Sequence, residues 1–249
     1  MTPLPRQAAP ARTRWTRSRM LGALLCVAAT PGCYRQAPHS GEEARVFVAS
    51  GFEPFAGRTQ NASQVLARVV PDLDLRFQCV DVPVVWGAPE RMLRALPAVP
   101  PVWVAFGEGT PGFEIETVAL NRRRDLPDNL GNRPPTPEIA PGADARLTAP
   151  ANLDAVAAAL TRRGFPTTVS SDAGGFLCEE MLYVLLRENQ RPGSHLRRVM
   201  FVHVPVLGAT VAPPVPGGVS RTVDAGYLRE FGEALVAELA AAGWLPPDG

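Results

Sequence analysis

Short β-prone runs alternate with stretches of helical spacing along most of this chain, and that alternation constrains the fold more than any other feature. Residues 46–50, 102–106 and 199–204 are continuous apolar runs rich in Val and Phe, the pattern of strands buried on both faces. Residues 77–85 and 165–170 are also β-prone. Helices are expected between them. Asn61 can cap one, with Gln64 at the capping-box position and Ala62, Val65, Leu66, Val69 and Val70 on its apolar face. Others are expected over residues 89–96 and 152–163, from Cys178 onward, and over 223–241. This alternation gives an α/β fold, a mostly parallel twisted sheet with helices on both faces. Functional groups in such sheets gather at the carboxyl ends of strands.

Some segments depart from the pattern. Residues 113–121 alternate in polarity, as an edge or antiparallel strand does, with Phe113, Ile115 and Thr117 on one face and Glu114, Glu116 and Val118 on the other. Residues 51–60, 190–195 and 211–218 read as loops, as does the long 122–150 stretch rich in Pro, Asp, Asn and Gly. A loop of that length borders a site or is disordered.

The N-terminus is of another kind. Residues 1–33 hold five Arg and no acid, with an apolar run over 20–29 and then Thr30-Pro31-Gly32-Cys33. A basic region, a short apolar region and small residues before a cut form an export signal, too short to span a membrane. Gly32-Cys33 resembles a lipobox, so Cys33 is expected to carry lipid, and residues 34–44 to tether a single domain over 45–249. The expected location is outside the cytoplasm, periplasmic or at the cell surface, with the membrane as partner. Secretion without lipid is one rival; a start placed too far upstream, leaving a cytoplasmic protein, is another. The body keeps 20 of the 25 Arg against 24 acidic residues, and no basic cluster, which argues against nucleic-acid binding. The sequence leaves self-association open.

The chemistry centres on Cys178. Residues 165–170 are followed by Ser171-Asp172-Ala173-Gly174-Gly175-Phe176-Leu177-Cys178, then by Met181, Leu182, Val184, Leu185 and Leu186 at helical spacing. The two glycines permit a tight turn and put Cys178 at the mouth of a helix. Unpaired N–H groups and the positive dipole end there favour a thiolate and can receive an oxyanion. A small buried thiol is the bland reading. Of the three His, His39 falls in the tether and His195 in a Pro/Gly loop, so His203, ending an apolar strand, is the candidate base for a thiol nucleophile. Glu114, Glu116 and Asp172 are the acids that could orient it. No CxxC, HxxxH or HExxH motif is present to suggest a metal site, and no cofactor fingerprint occurs at a strand–helix turn. In an exported protein Cys79 and Cys178 could instead pair as a disulfide, although Cys79 lies within an expected buried strand.

Six blocks in order resemble pyroglutamyl peptidase I, a family of cysteine peptidases that remove N-terminal pyroglutamate. They are Gly51-Phe52-Glu53-Pro54-Phe55, Asn61-Ala62-Ser63, Glu116-Thr117-Val118-Ala119-Leu120-Asn121, Leu126-Pro127-Asp128-Asn129, Ala173-Gly174-Gly175-Phe176-Leu177-Cys178 and Phe201-Val202-His203-Val204-Pro205. The resemblance implies a three-layer α/β/α sandwich and a triad of Cys178 as nucleophile, His203 as base and Glu116 as orienting acid. It also implies an apolar lactam pocket lined by Phe52, Phe55, Phe176 and Leu177, and no cofactor. The chain departs from the family pattern at Ala56, where Gly is usual, at Ala62, where Pro is usual, at Glu108, often Gln, at Asp125, usually Arg, and at Val206, often Tyr. A carboxylate at 108 could repel or re-aim a neutral lactam. The expected activity is release of pyroglutamate from peptides. The alternatives are hydrolysis of another N-blocked or cyclic amide by the same triad, and a lipid-anchored binding protein with a dead site.

Overall fold

The computed structural model describes residues 47–150, 153–215 and 217–245. The expected export signal, Cys33 and the tether with His39 lie outside the described residues. In chain order the elements are β1 (Phe47–Phe52), α1 (Ala62–Leu73), β2 (Phe77–Val82), α2 (Ala88–Ala95), β3 (Val102–Thr110), β4 (Phe113–Glu116) and β5 (Val118–Leu120). Then follow β6 (Arg146–Thr148), α3 (Asp154–Arg162), β7 (Thr167–Ser170), α4 (Leu177–Gln190), β8 (Arg198–Pro205), β9 (Thr210–Val211), β10 (Arg221–Thr222) and α5 (Ala225–Ala241).

Six strands form one sheet in the order β2-β1-β3-β8-β4-β7. All neighbours are parallel except β4 and β8, which run antiparallel. Period-2 alternation sorts the side chains. Phe47, Ala49, Val104, Phe106, Ile115, Met200 and Val202 face α1, α3 and α5. Val48, Phe52, Trp103, Ala105, Val199 and Phe201 face α2 and α4. This is the expected α/β/α sandwich, with a separate core on each side of the sheet. Phe113 and Phe231 stack at 3.7 Å in the first core, and each fully buried aromatic there contributes about 1.5–3 kcal/mol.

Some expectations are corrected. Gly51 and Phe52 belong to β1, not to a loop; a Cβ on Gly51 would lie 2.2 Å from the Ser63 carbonyl oxygen, so glycine lets α1 close onto a strand that continues. β3 does not stop at Gly107 but runs to Thr110, because β8 keeps pairing with it beyond that point. Residues 113–121 divide between two sheets. β4 lies inside the main sheet, antiparallel to β8 as one of the two expected readings had it and not at an edge, whereas β5 pairs with β6 in a separate ribbon. Thr117 marks the break, its N–H and hydroxyl both donating to the Ser170 carbonyl. The 122–150 stretch is ordered by a buried carboxylate: Asp128 accepts from the N–H groups of Trp86, Leu130 and Asn132. A two-residue ribbon, β9–β10, brackets the 211–218 loop.

Ala56 has φ 54°, the one non-glycine residue with positive φ among the described residues, and its side chain is exposed. Glycine suits that backbone, and no packing is lost with the methyl. Ala56→Gly should therefore stabilise the protein by roughly 0.5–1 kcal/mol, read as a higher denaturation midpoint in urea.

Candidate active site

The turn that delivers Cys178 is built from glycine geometry and side-chain caps. Gly174 and Gly175 have φ 91° and 76°, backbone that residues with a Cβ rarely adopt. Asp172 accepts from the Gly174 N–H and Glu179 from the Gly175 N–H. α4 then begins at Leu177 with no side-chain cap from Phe176, leaving the N–H groups of its first turn without helical carbonyl partners. Two acids after the nucleophile hold the helix in place. Glu179 also accepts from the Leu120 N–H (2.7 Å), while Glu180 accepts from the Gly87 N–H (2.8 Å) and pairs with Arg123 (3.0 Å). Both are buried. The sequence reading gave them no role; two acids in the first turn of an otherwise apolar helix were the available signal.

The sheet supplies the partners. His203 on β8 faces the α4 side, as Phe201 does, and across the antiparallel pair it opposes Glu114 on β4. Glu116 lies two residues on, on the same face. His203 Nδ1 and Glu116 Oε1 are 2.8 Å apart and buried, and the Cys178 sulfur stands beside the imidazole, over the Gly107 that pairs with His203. Burial works against a charge on His203. The Cys178 sulfur facing it and the Glu116 carboxylate outweigh that effect and push its pKa up to about 10. On β3, Gly107 opposes His203 from the other side; a Cβ there would come within 2.8 Å of both the Cys178 sulfur and Phe201. Gly107 is thus a site residue that the sequence offered only as a strand terminator.

These groups open into a cavity of about 290 Å³. Phe52, Phe55, Phe176 and Leu177, the residues that the resemblance assigns to an apolar pocket, line its apolar part together with Val84. The Phe52 N–H donates to Ser63 Oγ, itself bonded to the capping Asn61. Asn129 of the long loop donates to the Pro54 carbonyl beside Phe55, so that loop does border the site. Trp86 packs edge-on against Phe176.

The departures at Ala62 and Glu108 meet each other. The Ala62 N–H, which a proline would lack, donates to Glu108 Oε1 at 2.8 Å, and Arg58 pairs with Oε2 at 2.5 Å. The Arg58 guanidinium in turn lies 4.4 Å over the Phe55 ring. Glu108 lines the cavity, but its charge is met by a helix N-terminus and a guanidinium, so repulsion of a neutral ring does not follow. Asp125 pairs with Arg133 on the surface and does not line the cavity.

Two of the three candidate acids are set aside as the orienting group. Asp172 is engaged by Gly174 and Arg122 (2.9 Å). Glu114 has a carboxylate oxygen within 4.8 Å of Glu116 and His203 but forms no hydrogen bond or ion pair among the described residues. These three could be considered as metal ligands, but His203 Nδ1 is already bonded to Glu116. His195 is exposed. The disulfide rival is corrected: Cys79 and Cys178 are not joined by a disulfide, and Cys79 is buried in the core on the opposite face of the sheet.

Residues 44–224 match the sequence profile of the pyroglutamyl peptidase family. A pyrrolidone-carboxylate peptidase of Chromobacterium violaceum is 34% identical over 183 residues, 70% of this chain and 84% of the relative. That of Klebsiella pneumoniae is 32% identical over 198 residues, 76% and 89% of the two. The crystal structure of pyrrolidone carboxyl peptidase from Pyrococcus furiosus superposes with a TM-score of 0.63 at 27% identity, over 80% of this chain and 99% of that one. Pyroglutamyl peptidase I of Bacillus amyloliquefaciens, at 24% identity, shares the fold with a TM-score of 0.64 over 79% and 96%.

The Glu116 contact can be read on the imidazole itself. An NMR titration of His203 should show a midpoint near 10 in the native protein and a lower one in Glu116→Gln, which removes two of the influences that raise it. Because the folded value is raised, the linked stability is full below about pH 6.5 and is lost as pH rises through about 10.

Proposed function

The chain belongs to the pyroglutamyl peptidase family, and we propose on that premise that it is a cysteine peptidase removing pyroglutamate from the N-terminus of peptides. One observation carries the assignment of roles: the hydrogen-bonded Glu116–His203 pair stands beside Cys178, and His203 and Cys178 line a cavity with Phe52, Phe55 and Phe176 among its walls. A flat, uncharged five-membered lactam suits such walls.

The chemistry follows from the proton that His203 holds. Cys178 as thiolate attacks the carbonyl carbon joining pyroglutamate to the next residue, and the C=O π pair moves onto oxygen. The N–H groups of the first turn of α4 stand ready for that oxyanion. His203 gives its proton to the leaving nitrogen, the C–N bond breaks, and a thioester remains with a free amine. Neutral His203 then takes a proton from water as the hydroxide oxygen attacks the thioester. Collapse frees pyroglutamate and restores the thiolate–imidazolium pair. Glu116 holds the ring so that Nε2 faces the sulfur throughout. Cys178→Ala should fall to background release, at least about 10³-fold down, on a pyroglutamyl fluorogenic amide while keeping its thermal melt. Turnover at the native rate would sink the proposal.

We further propose that the peptidase is exported and held at a membrane by acylation of Cys33. The basic stretch, apolar run and Gly32-Cys33 of residues 1–33 support this. Cys33→Ala should move the protein from the membrane fraction to the soluble one; unchanged fractionation would overturn the anchor.

A further inference from the structure

The cavity is polarised along the sheet. Gly51 on β1 pairs with Phe106, so Phe52 stands in the row of Gly107; Gly107 pairs with His203, and His203 with Glu114. One row therefore runs Phe52, Gly107, His203, Glu114, with neighbouring strands about 4.8 Å apart. Cys178 sits over Gly107. The aromatic walls lie on the β1 side of the sulfur, and Glu114 and Asp172 line the cavity on the β4 and β7 side. A pyroglutamyl peptide with its lactam ring seated among the aromatics puts the exocyclic scissile carbonyl at Cys178 and the leaving nitrogen of the next residue at His203. The side chain of the next residue, two bonds from that nitrogen, then falls one strand further on, at Glu114.

Charge accounting singles out Glu114 on that side. Glu108 is met by Arg58 and the Ala62 N–H, Glu116 by His203, and Asp172 by Arg122 with Arg124 nearby. Glu179 is buried beneath, bonded to Leu120 and Gly175. Glu114 is half-buried, lines the cavity, and has no ion pair or hydrogen bond among the described residues. Burial and the Glu116 charge hold its pKa above the usual carboxylate value, with His203 acting the other way. A cation arriving with the substrate is the partner it lacks.

Resting on the pyroglutamyl peptidase reading, we infer that Glu114 selects the residue after the pyroglutamate, favouring peptides in which that residue carries a positive side chain and disfavouring an acidic one. The test is a panel of pyroglutamyl-arginine, -alanine and -glutamate amides, with pyroglutamate release read as kcat/KM. The native protein should favour arginine over glutamate by about tenfold or more, with alanine between, and the ratio should shrink as salt is raised. Glu114→Gln should bring the ratio to about twofold or less, and Glu114→Asp should restore part of it. Equal ratios in native and Glu114→Gln proteins, or a uniform change across the three substrates, would overturn the inference; the latter would assign Glu114 to tuning the triad. Calorimetric binding of the same peptides to Cys178→Ala separates the two readings. If no peptide releases pyroglutamate, the activity reading falls. The order of binding, arginine over glutamate or no preference, still decides the role of Glu114.

Discussion

The buried contact between Glu116 and His203 is the interaction on which the site depends. It spans two strands that run antiparallel inside an otherwise parallel sheet, and that pairing brings both side chains to one face in adjacent rows. Away from water, a carboxylate at 2.8 Å both fixes the ring and favours its protonated form. The second oxygen of Glu116 has no hydrogen-bond partner among the described residues, so little there competes with the imidazole for its charge. A parallel β4 would present a different register and could not make this contact from the same residues.

The nucleophile reaches that pair from the other layer of the sandwich. Its position is set by features that carry no chemistry themselves: left-handed glycines at 174 and 175, the missing side chain at Gly107, and the two acids that tie α4 to the surrounding loops. Glu179 and Glu180 are buried charges, which are costly unless fully bonded. Each carboxylate accepts two hydrogen bonds, from β5 and the turn itself for Glu179 and from the residue before α2 and the long loop for Glu180, and Arg122 lies 3.9 Å from Glu179. The cost of burying them is offset by fixing several segments around the mouth of one helix.

The departures from the family pattern divide into two kinds. Ala62 and Glu108 are complementary, since the N–H that alanine provides is the one the carboxylate accepts, and Arg58 completes the set while stacking on a cavity wall. Ala56 has no such partner and keeps a backbone better suited to glycine. A change at a site can thus be absorbed by its neighbours where side chains converge, whereas an exposed turn residue has none to absorb it.

Local chemistry in the sequence determined much of this protein. Alternating strand and helix patterns determined the layered fold, because each period exposes one apolar face that must be covered. The Gly-Gly turn before an apolar helical face determined that Cys178 would open a helix after a strand. What residue order could not decide was which acid serves His203. Glu114 and Glu116 share a face of one strand; the register of β4 against β8 sets Glu114 directly opposite His203, yet it is Glu116, one row along, whose carboxylate reaches the ring nitrogen. Nor could it place Gly107, Glu179 and Arg58, whose roles arise from neighbours far along the chain, Cys178, Leu120 and Glu108. Periodicity is a property of neighbours along the chain; the site is made by neighbours across it, and those are set only when the sheet closes its register and α4 settles on top.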